Sequence, residues 1–301
     1  MPTAVFALLP RILMTAKRAG EEILRVYNGT VSVTLKDDRS PLTEADQASH
    51  QVIAKELAAI AFTAAPDMPS VYLPVLSEEG KNIPYSERGA WEYYWLVDPL
   101  DGTKEFIKKN GEFTVNIALI HRTKPVLGVI YVPVTGVYYF AAQGFGSYIM
   151  QKGDVLDASM KDAENGLRAI LHHSRRLPLN APVGDQSKPR KLIIAGSRSH
   201  ATPELENFVN TMKQTHGEVE FIPAGSSLKF CLVAEGRADI YPRLGPTMEW
   251  DTAAGQAIVE EAGGSVQRTD ASETLQYNKE NLLNPWFIVR GNKLESGETN
   301  E

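Results

Sequence analysis

The chain has 301 residues, 43% in the hydrophobic set and 23% charged, with a formal net charge of -6. That length suits one large domain or two packed lobes, and the acidic balance disfavours DNA or RNA as partner, since a phosphate backbone calls for a basic surface. A single cysteine, Cys231, excludes an intramolecular disulfide and a cysteine-rich metal site; it fits a reducing compartment and reads as a small buried hydrophobe.

The N-terminal apolar stretch is short and has no basic segment before it, unlike a secretory leader, and nowhere do 18 apolar residues run together as a membrane span requires. After Pro10, apolar residues recur at Ile12, Leu13, Ala16, Ala19, Ile23, Leu24 and Tyr27. That spacing predicts a helix over 11–28 with one buried face; it is compatible with peripheral membrane attachment, but packing against a core is favoured. Val31 to Leu35 reads as a strand and 36–41 as a turn. Thr43 is a plausible N-cap with Asp46 three residues on, opening a second helix to about residue 62. The stretch 63–74 holds three prolines and reads as a loop, and a short apolar piece, Val75-Leu76, leads to Ser77-Glu78-Glu79-Gly80.

WEYYWLV, from Trp91 to Val97, predicts a strand that stops at Asp98-Pro99. Phe113 to Ile120, Val126 to Val132 and Val137 to Ala141 predict three more, with Ser147-Tyr148-Ile149 resuming the pairing. The short turns between them suggest antiparallel neighbours. Residues 151–190 lack periodicity and read as a lobe boundary with a surface insertion. Beyond them strands and helices alternate: KLIIAGS, ELENFVNTMKQT, VEFIPA, SLKFCLVAEG, ADIYPRL, DTAAGQAIVEEAGG and finally WFIVRG. This is an α/β C-terminal half behind a more antiparallel α+β half, divided as 1–160 and 161–301.

The chemistry points to the acids. In Asp98-Pro99-Leu100-Asp101-Gly102-Thr103 two carboxylates lie three residues apart at a strand end. Pro99 and Gly102 favour a turn that presents both, with the Leu100 carbonyl, to one point, as a hard divalent cation requires. Taken alone, the same residues also make an ordinary surface turn. Glu78 follows a short strand, and Asp46 and Asp251 each sit in a helix's first turn. Such acids would repel one another unless a cation lay between them. On the positive side, Gly225-Ser226-Ser227-Leu228-Lys229 joins a strand to a helix, Ser197-Arg198-Ser199-His200 follows another strand, and Arg243 ends a third. Each is a candidate anion contact or a plain helix cap.

KDDRSPLTEAD, LSEEG, WLVDPLDGTKEFIKKNGEFTVNIALI, GVIYVPV, SRSH, GSSLKFCLVAEGRADIYPRLGPTMEWDTAAG and the NPWFIV tail together resemble the inositol monophosphatase-like superfamily of metal-dependent, lithium-sensitive phosphatases. The DGTKEF and SPLTEAD forms are similar to its bisphosphate nucleotidase branch, of the CysQ type. The resemblance implies a layered α-β-α-β-α sandwich of the inositol monophosphatase/fructose-1,6-bisphosphatase type. It implies that Glu78, Asp98, Leu100 (through its carbonyl), Asp101 and Asp251 hold two or three Mg²⁺ ions, and that Asp46 and Thr103, helped by Glu78, orient and activate water. Gly102, Thr103, His200, Ser226, Lys229, Arg243 and Asp251 are the implied substrate contacts. The implied substrate is adenosine 3′,5′-bisphosphate, with phosphoadenylyl sulfate a second, in a cytoplasmic enzyme compatible with a peripheral place at the inner face of the plasma membrane. No nucleic-acid partner and no integral membrane contact are expected, and the sequence sets no oligomeric state. An inositol or sugar phosphate phosphatase is the alternative, disfavoured by TKEF after DPLDG; a non-catalytic nucleotide or metal sensor is a remote one, since none of the matched positions is lost.

Overall fold

A computed structural model describes residues 5–29, 33–35, 41–65, 67–151, 163–179, 191–197 and 202–292. Helix α1, Leu9–Tyr27, starts two residues before the predicted helix, with Pro10 in its first turn, where a missing N–H costs nothing. Its periodic residues Ile12, Leu13, Ala16, Ala19 and Ile23 are fully buried, so the apolar face goes into the core. Strands β1, Val33–Leu35, and β2, Pro41–Thr43, form a small antiparallel ladder; of the predicted turn 36–41, residues 36–40 lie outside the described residues and Pro41 opens β2. Helix α2 runs Glu44–Ala58, not to residue 62. The chain turns at Ala59, and β3, Ala61–Phe62, pairs with β4, Val71–Tyr72, inside the predicted loop. Phe62 is buried and packs its ring on Tyr93 at 4.9 Å, a contact that helical continuation would lose. No described helix is long and apolar enough to cross a membrane.

The first sheet has seven strands in the order β11-β10-β9-β8-β7-β6-β5. They are β5, Val75–Ser77; β6, Tyr93–Asp101; β7, Thr114–His121; β8, Lys124–Val132; β9, Val137–Ala142; β10, Gly146–Gln151; and β11, Ser174–Arg176. Only β5 and β6 run parallel; every other pair is antiparallel, as the short turns predicted. The short helices α3, Tyr85–Arg88, and α4, Thr103–Ile107, flank β6, and α5, Ala163–His172, precedes β11. The sheet thus extends past residue 160 through β11.

The second sheet has the order β13-β12-β14-β16-β15. Its strands are β12, Leu192–Ser197; β13, Val219–Ala224; β14, Ile240–Arg243; β15, Ser265–Arg268; and β16, Phe287–Arg290. The strand–helix alternation predicted there is present, with α6, Pro203–His216, α7, Leu228–Glu235, and α8, Glu249–Glu261, between strands. The antiparallel β15 was not foreseen: SVQR is short, largely polar and without alternation, and only its pairing with β16 makes it a strand.

The layers follow from the buried faces. Helices α1 and α2 cover one face of the seven-stranded sheet in a core that includes Trp95, Val97, Val115 and Ile117. Helices α7 and α8 fill the space between the two sheets with Tyr94, Leu96, Ile130, Phe230, Ile258 and Phe287. Helix α6 closes the outer face over Leu192, Ile194 and Ile240. The molecule is an α-β-α-β-α sandwich, and Cys231 lies buried in its central layer.

Candidate active site

The stretch Asp98-Pro99-Leu100-Asp101 is the bulged end of β6, not a turn after it, and Thr103 already opens α4. Asp98 pairs with Asn116 and Asp101 with Thr114, so three steps on β6 match two on β7. The extra residue matters because strand side chains alternate between faces, and residues three apart would normally point to opposite sides. Tyr94 and Leu96 face the central layer, while Leu100 falls in the core on the other face. The bulge has reversed the alternation, which brings Asp101 to the same side as Asp98. Leu100 N–H donates to Asp98 Oδ1 at 3.0 Å, and Ser49 of α2 donates to the Pro99 carbonyl at 2.7 Å, so the bulge is held from within and from the helix layer. Gly102 follows with φ +91°, left-handed backbone that suits glycine; an added Cβ would also meet Ser226 Cβ and the Glu112 carbonyl at 3.2 Å.

Asp46 and Asp251 reach the site by one device. Each is the third residue of a helix and turns a carboxylate oxygen back onto the N–H before the first turn: Thr43 N to Asp46 Oδ2 is 2.8 Å and Met248 N to Asp251 Oδ2 is 2.9 Å. Thr43 is the predicted N-cap, and its hydroxyl accepts from Ala45 N at 3.2 Å. Asp46 Oδ1 accepts from the Thr103 hydroxyl at 3.2 Å. Helix α2 also aims Gln47 at Glu79 (3.2 Å) and His50 at Ser77 (2.9 Å), steadying the loop that carries Glu78.

The structure brings carboxylate oxygens of Glu78, Asp98 and Asp251 within 4.8 Å of one another. Asp101 stands beside them, its Oδ2 accepting from the hydroxyls of Ser226 (2.7 Å) and Ser227 (2.6 Å). Burial raises the Asp98 carboxyl well above the usual range, and the charges of Glu78, Asp101, Asp251 and Asp46 raise it further. Asp251 is pushed up to about 8, first by burial, then by Asp101 and Glu78, against the Met248 N–H and Arg243. The oxygens are hard, close and mutually repulsive, a donor set that fits a small divalent cation.

The predicted anion contacts are partly turned inward. Gly225 N donates to Glu112 Oε2 at 2.8 Å. Lys229 is 4% exposed and donates to the Ser226 and Ala224 carbonyls at 2.6 and 3.3 Å; burial brings its ammonium down to about 8 despite the pull of Asp101. Arg243 donates through Nη2 to the Pro246 carbonyl, while its Nε is buried and meets no partner among the described residues. Lys229, Arg243, Ser226, Gly102, Asp101 and Asp251 line a cavity of about 120 Å³. It adjoins a depression of about 310 Å³ lined by Lys104, Ser197, Tyr241 and Arg243. A larger hollow of about 870 Å³ between α1 and α2 holds none of the carboxylates of the cluster. Arg198, Ser199 and His200 lie outside the described residues. Asn116 and Thr114 were not foreseen as site residues: Asn116 donates to Ser227 Oγ at 2.7 Å and Thr114 bonds Ser226 Oγ at 2.6 Å. Their only sequence signal is polarity inside an apolar strand.

The profile of the inositol monophosphatase family matches residues 10–296. The chain is 44% identical over 284 residues to a 3′(2′),5′-bisphosphate nucleotidase CysQ of Shigella flexneri and to that of Escherichia coli strain K12, covering 94% of this chain and 99% of each relative. It is similar to the crystal structure of CysQ from Bacteroides thetaiotaomicron, a bacterial member of the inositol monophosphatase family, with a TM-score of 0.79 and 46% identity over 97% of this chain and 98% of the other.

Proposed function

The chain belongs to the inositol monophosphatase family, and from that premise we propose that it is a Mg²⁺-dependent 3′(2′),5′-bisphosphate nucleotidase. It hydrolyses the 3′-phosphate of adenosine 3′,5′-bisphosphate to give AMP and phosphate, and acts on phosphoadenylyl sulfate, which carries the same 3′-phosphate. The observation that carries this reading is the meeting of Glu78, Asp98 and Asp251 at the edge of a cavity that also holds Lys229 and Arg243. Glu78, Asp98, Asp101, Asp251 and the Leu100 carbonyl are the groups proposed to hold Mg²⁺, which when bound polarises the phosphate and makes water more acidic.

The chain's own residues do the rest. Thr103 and Asp46, hydrogen-bonded to each other, are the pair proposed to orient a water and take its proton in turn, with Glu78 assisting. Arg243 is the group best prepared for the second phosphate, because its Nε lacks a partner among the described residues. Ser226 and Lys229 would have to exchange protein partners for phosphate oxygens.

The test is phosphate release from adenosine 3′,5′-bisphosphate, AMP and inositol 1-phosphate, each with Mg²⁺ and after chelation. Release from the bisphosphate far above the other two, abolished by chelation and restored by Mg²⁺, is expected. Preference for inositol 1-phosphate would overturn the substrate, and full activity in chelator would overturn the metal.

The raised carboxyls add a pH signature. Asp98 and Asp251 bind protons more tightly in the folded than in the unfolded chain. Without metal, the contribution of these two groups to stability is therefore fully present below the ordinary carboxylate range and is lost as pH rises, for Asp251 through about 8. Mg²⁺ holds the ionised form, so the fall should flatten and metal binding should release protons near neutral pH. Thermal unfolding from about pH 5 to pH 8, in chelator and in excess Mg²⁺, checks this; parallel curves would count against it.

A further inference from the structure

The NPWFIV tail has no part in the chemistry above, yet the segment leading into it is packed on the helix end that carries Asp251. Two peptide groups precede that end. The first joins Thr247 to Met248: its N–H holds Asp251 Oδ2 at 2.9 Å, and its carbonyl accepts from Asn284 N at 2.8 Å. The second joins Met248 to Glu249: its carbonyl accepts from Asn284 Nδ2 at 2.8 Å, and its N–H donates to the Leu282 carbonyl at 3.0 Å. Both are thus held at both ends. Asn284 Nδ2 also donates to the Thr252 hydroxyl at 3.0 Å.

An ion pair between buried Glu249 and half-buried Lys279 holds the clamp. Glu249 is 0% exposed and accepts from Asn278 N at 2.7 Å, Lys279 N at 3.0 Å and Lys279 Nζ at 2.6 Å. Lys279 Nζ reaches on to Asn284 Oδ1 at 3.3 Å. Arg88, 2% exposed, ties Asn278 and the Glu280 carbonyl to α3 at 2.9 Å each. A buried ion pair is commonly no more stabilising than apolar residues of the same volume. Its directional bonds do fix an orientation, and here the element they orient is the first turn of α8.

We propose that Glu249, Lys279 and Asn284 are positioning residues for Asp251: they lock the two peptide groups before it and thereby set how tightly the carboxylate cluster binds its divalent cation. This rests on the reading of Asp251 as a metal ligand.

The test measures Mn²⁺ binding to the full chain by the electron paramagnetic resonance of unbound Mn²⁺, with Asp251→Asn as reference and thermal unfolding in chelator as the check of folding. Lys279→Met and Asn284→Ala should bind Mn²⁺ about 10- to 100-fold more weakly, the range for groups that orient a ligand. Lys279→Arg, which keeps the charge, should stay within a few-fold of wild type. The apparent Mg²⁺ constant of activity should rise in parallel, while kcat at saturating Mg²⁺ recovers most of its value. Wild-type Mn²⁺ affinity in the folded Met and Ala variants, with Asp251→Asn weakened, would overturn the positioning role alone. Undiminished affinity in Asp251→Asn would remove the ligand reading and this proposal with it. Should Lys279→Met not fold, Asn284→Asp keeps the volume and turns donors into acceptors; wild-type affinity in that variant overturns the proposal equally.

Discussion

Asp98→Asn should lower kcat by about a thousandfold or more, roughly 4 kcal/mol of transition-state stabilisation, in a protein that remains folded. The substitution keeps the shape and the acceptor for Leu100 N–H, so the bulge in β6 has no reason to open. It removes the charge of a carboxyl that is 1% exposed and sits within reach of Glu78 and Asp251. In chelator the variant should be more stable than wild type, and more so at pH 8 than at pH 5, because burial and the neighbouring acids disfavour the charged form of the wild-type carboxyl in the folded chain, a cost that grows as pH rises above the ordinary carboxylate range. Steady-state kinetics and thermal unfolding on the same preparations separate the two effects. Near-wild-type kcat would place the chemistry elsewhere; a lower stability in chelator at pH 8 would mean the carboxylate is a structural acceptor.

Gly128→Ala should damage stability and activity together although it touches no acid. Gly128 lies on β8, directly under α8, and a Cβ there would stand 2.5 Å from the Ala254 carbonyl and 3.0 Å from Ala254 Cα. Those are backbone atoms, so the helix must lift. Overpacking of this kind costs about 1–3 kcal/mol. Ala254 is three residues past Asp251 on the same helix, so the lift also draws Asp251 from Glu78 and Asp98. A displacement near 1 Å can cost about a hundredfold in rate. Gly245→Ala, where an added Cβ meets nothing within 4 Å, should leave the melting temperature unchanged. Wild-type melting of Gly128→Ala would show that α8 can slide without cost and would remove the reason for the activity loss.

The elements were largely legible along the chain. Alternation and helical spacing located β7 to β9, α1 and α8, because burial of one face imposes a period that local sequence must carry. The capping pattern at Thr43 and Asp46 was equally local and is present as read. The errors fell where a pairing partner decides: α2 gave way to β3 because Phe62 packs on Tyr93, and SVQR became β15 because β16 lies beside it.

The site divides in the same way. By itself the sequence determined the kind of chemistry, through carboxylates placed at strand and helix ends beside Gly, Pro and capping residues, since those choices obey short-range sterics and hydrogen bonding. Only the tertiary structure decided how the acids meet. Whether Asp98 and Asp101 share a face depends on one extra residue in β6, which shows only against the register of β7. Whether Ser226 and Ser227 bind an anion or hold Asp101 depends on a contact 125 and 126 residues away in the chain. The clamp of Asn284 on the first turn of α8 spans 36 residues from Met248. Local patterns record what each residue does with its neighbours in the chain; these contacts join surfaces that become neighbours only when the two sheets close on α7 and α8.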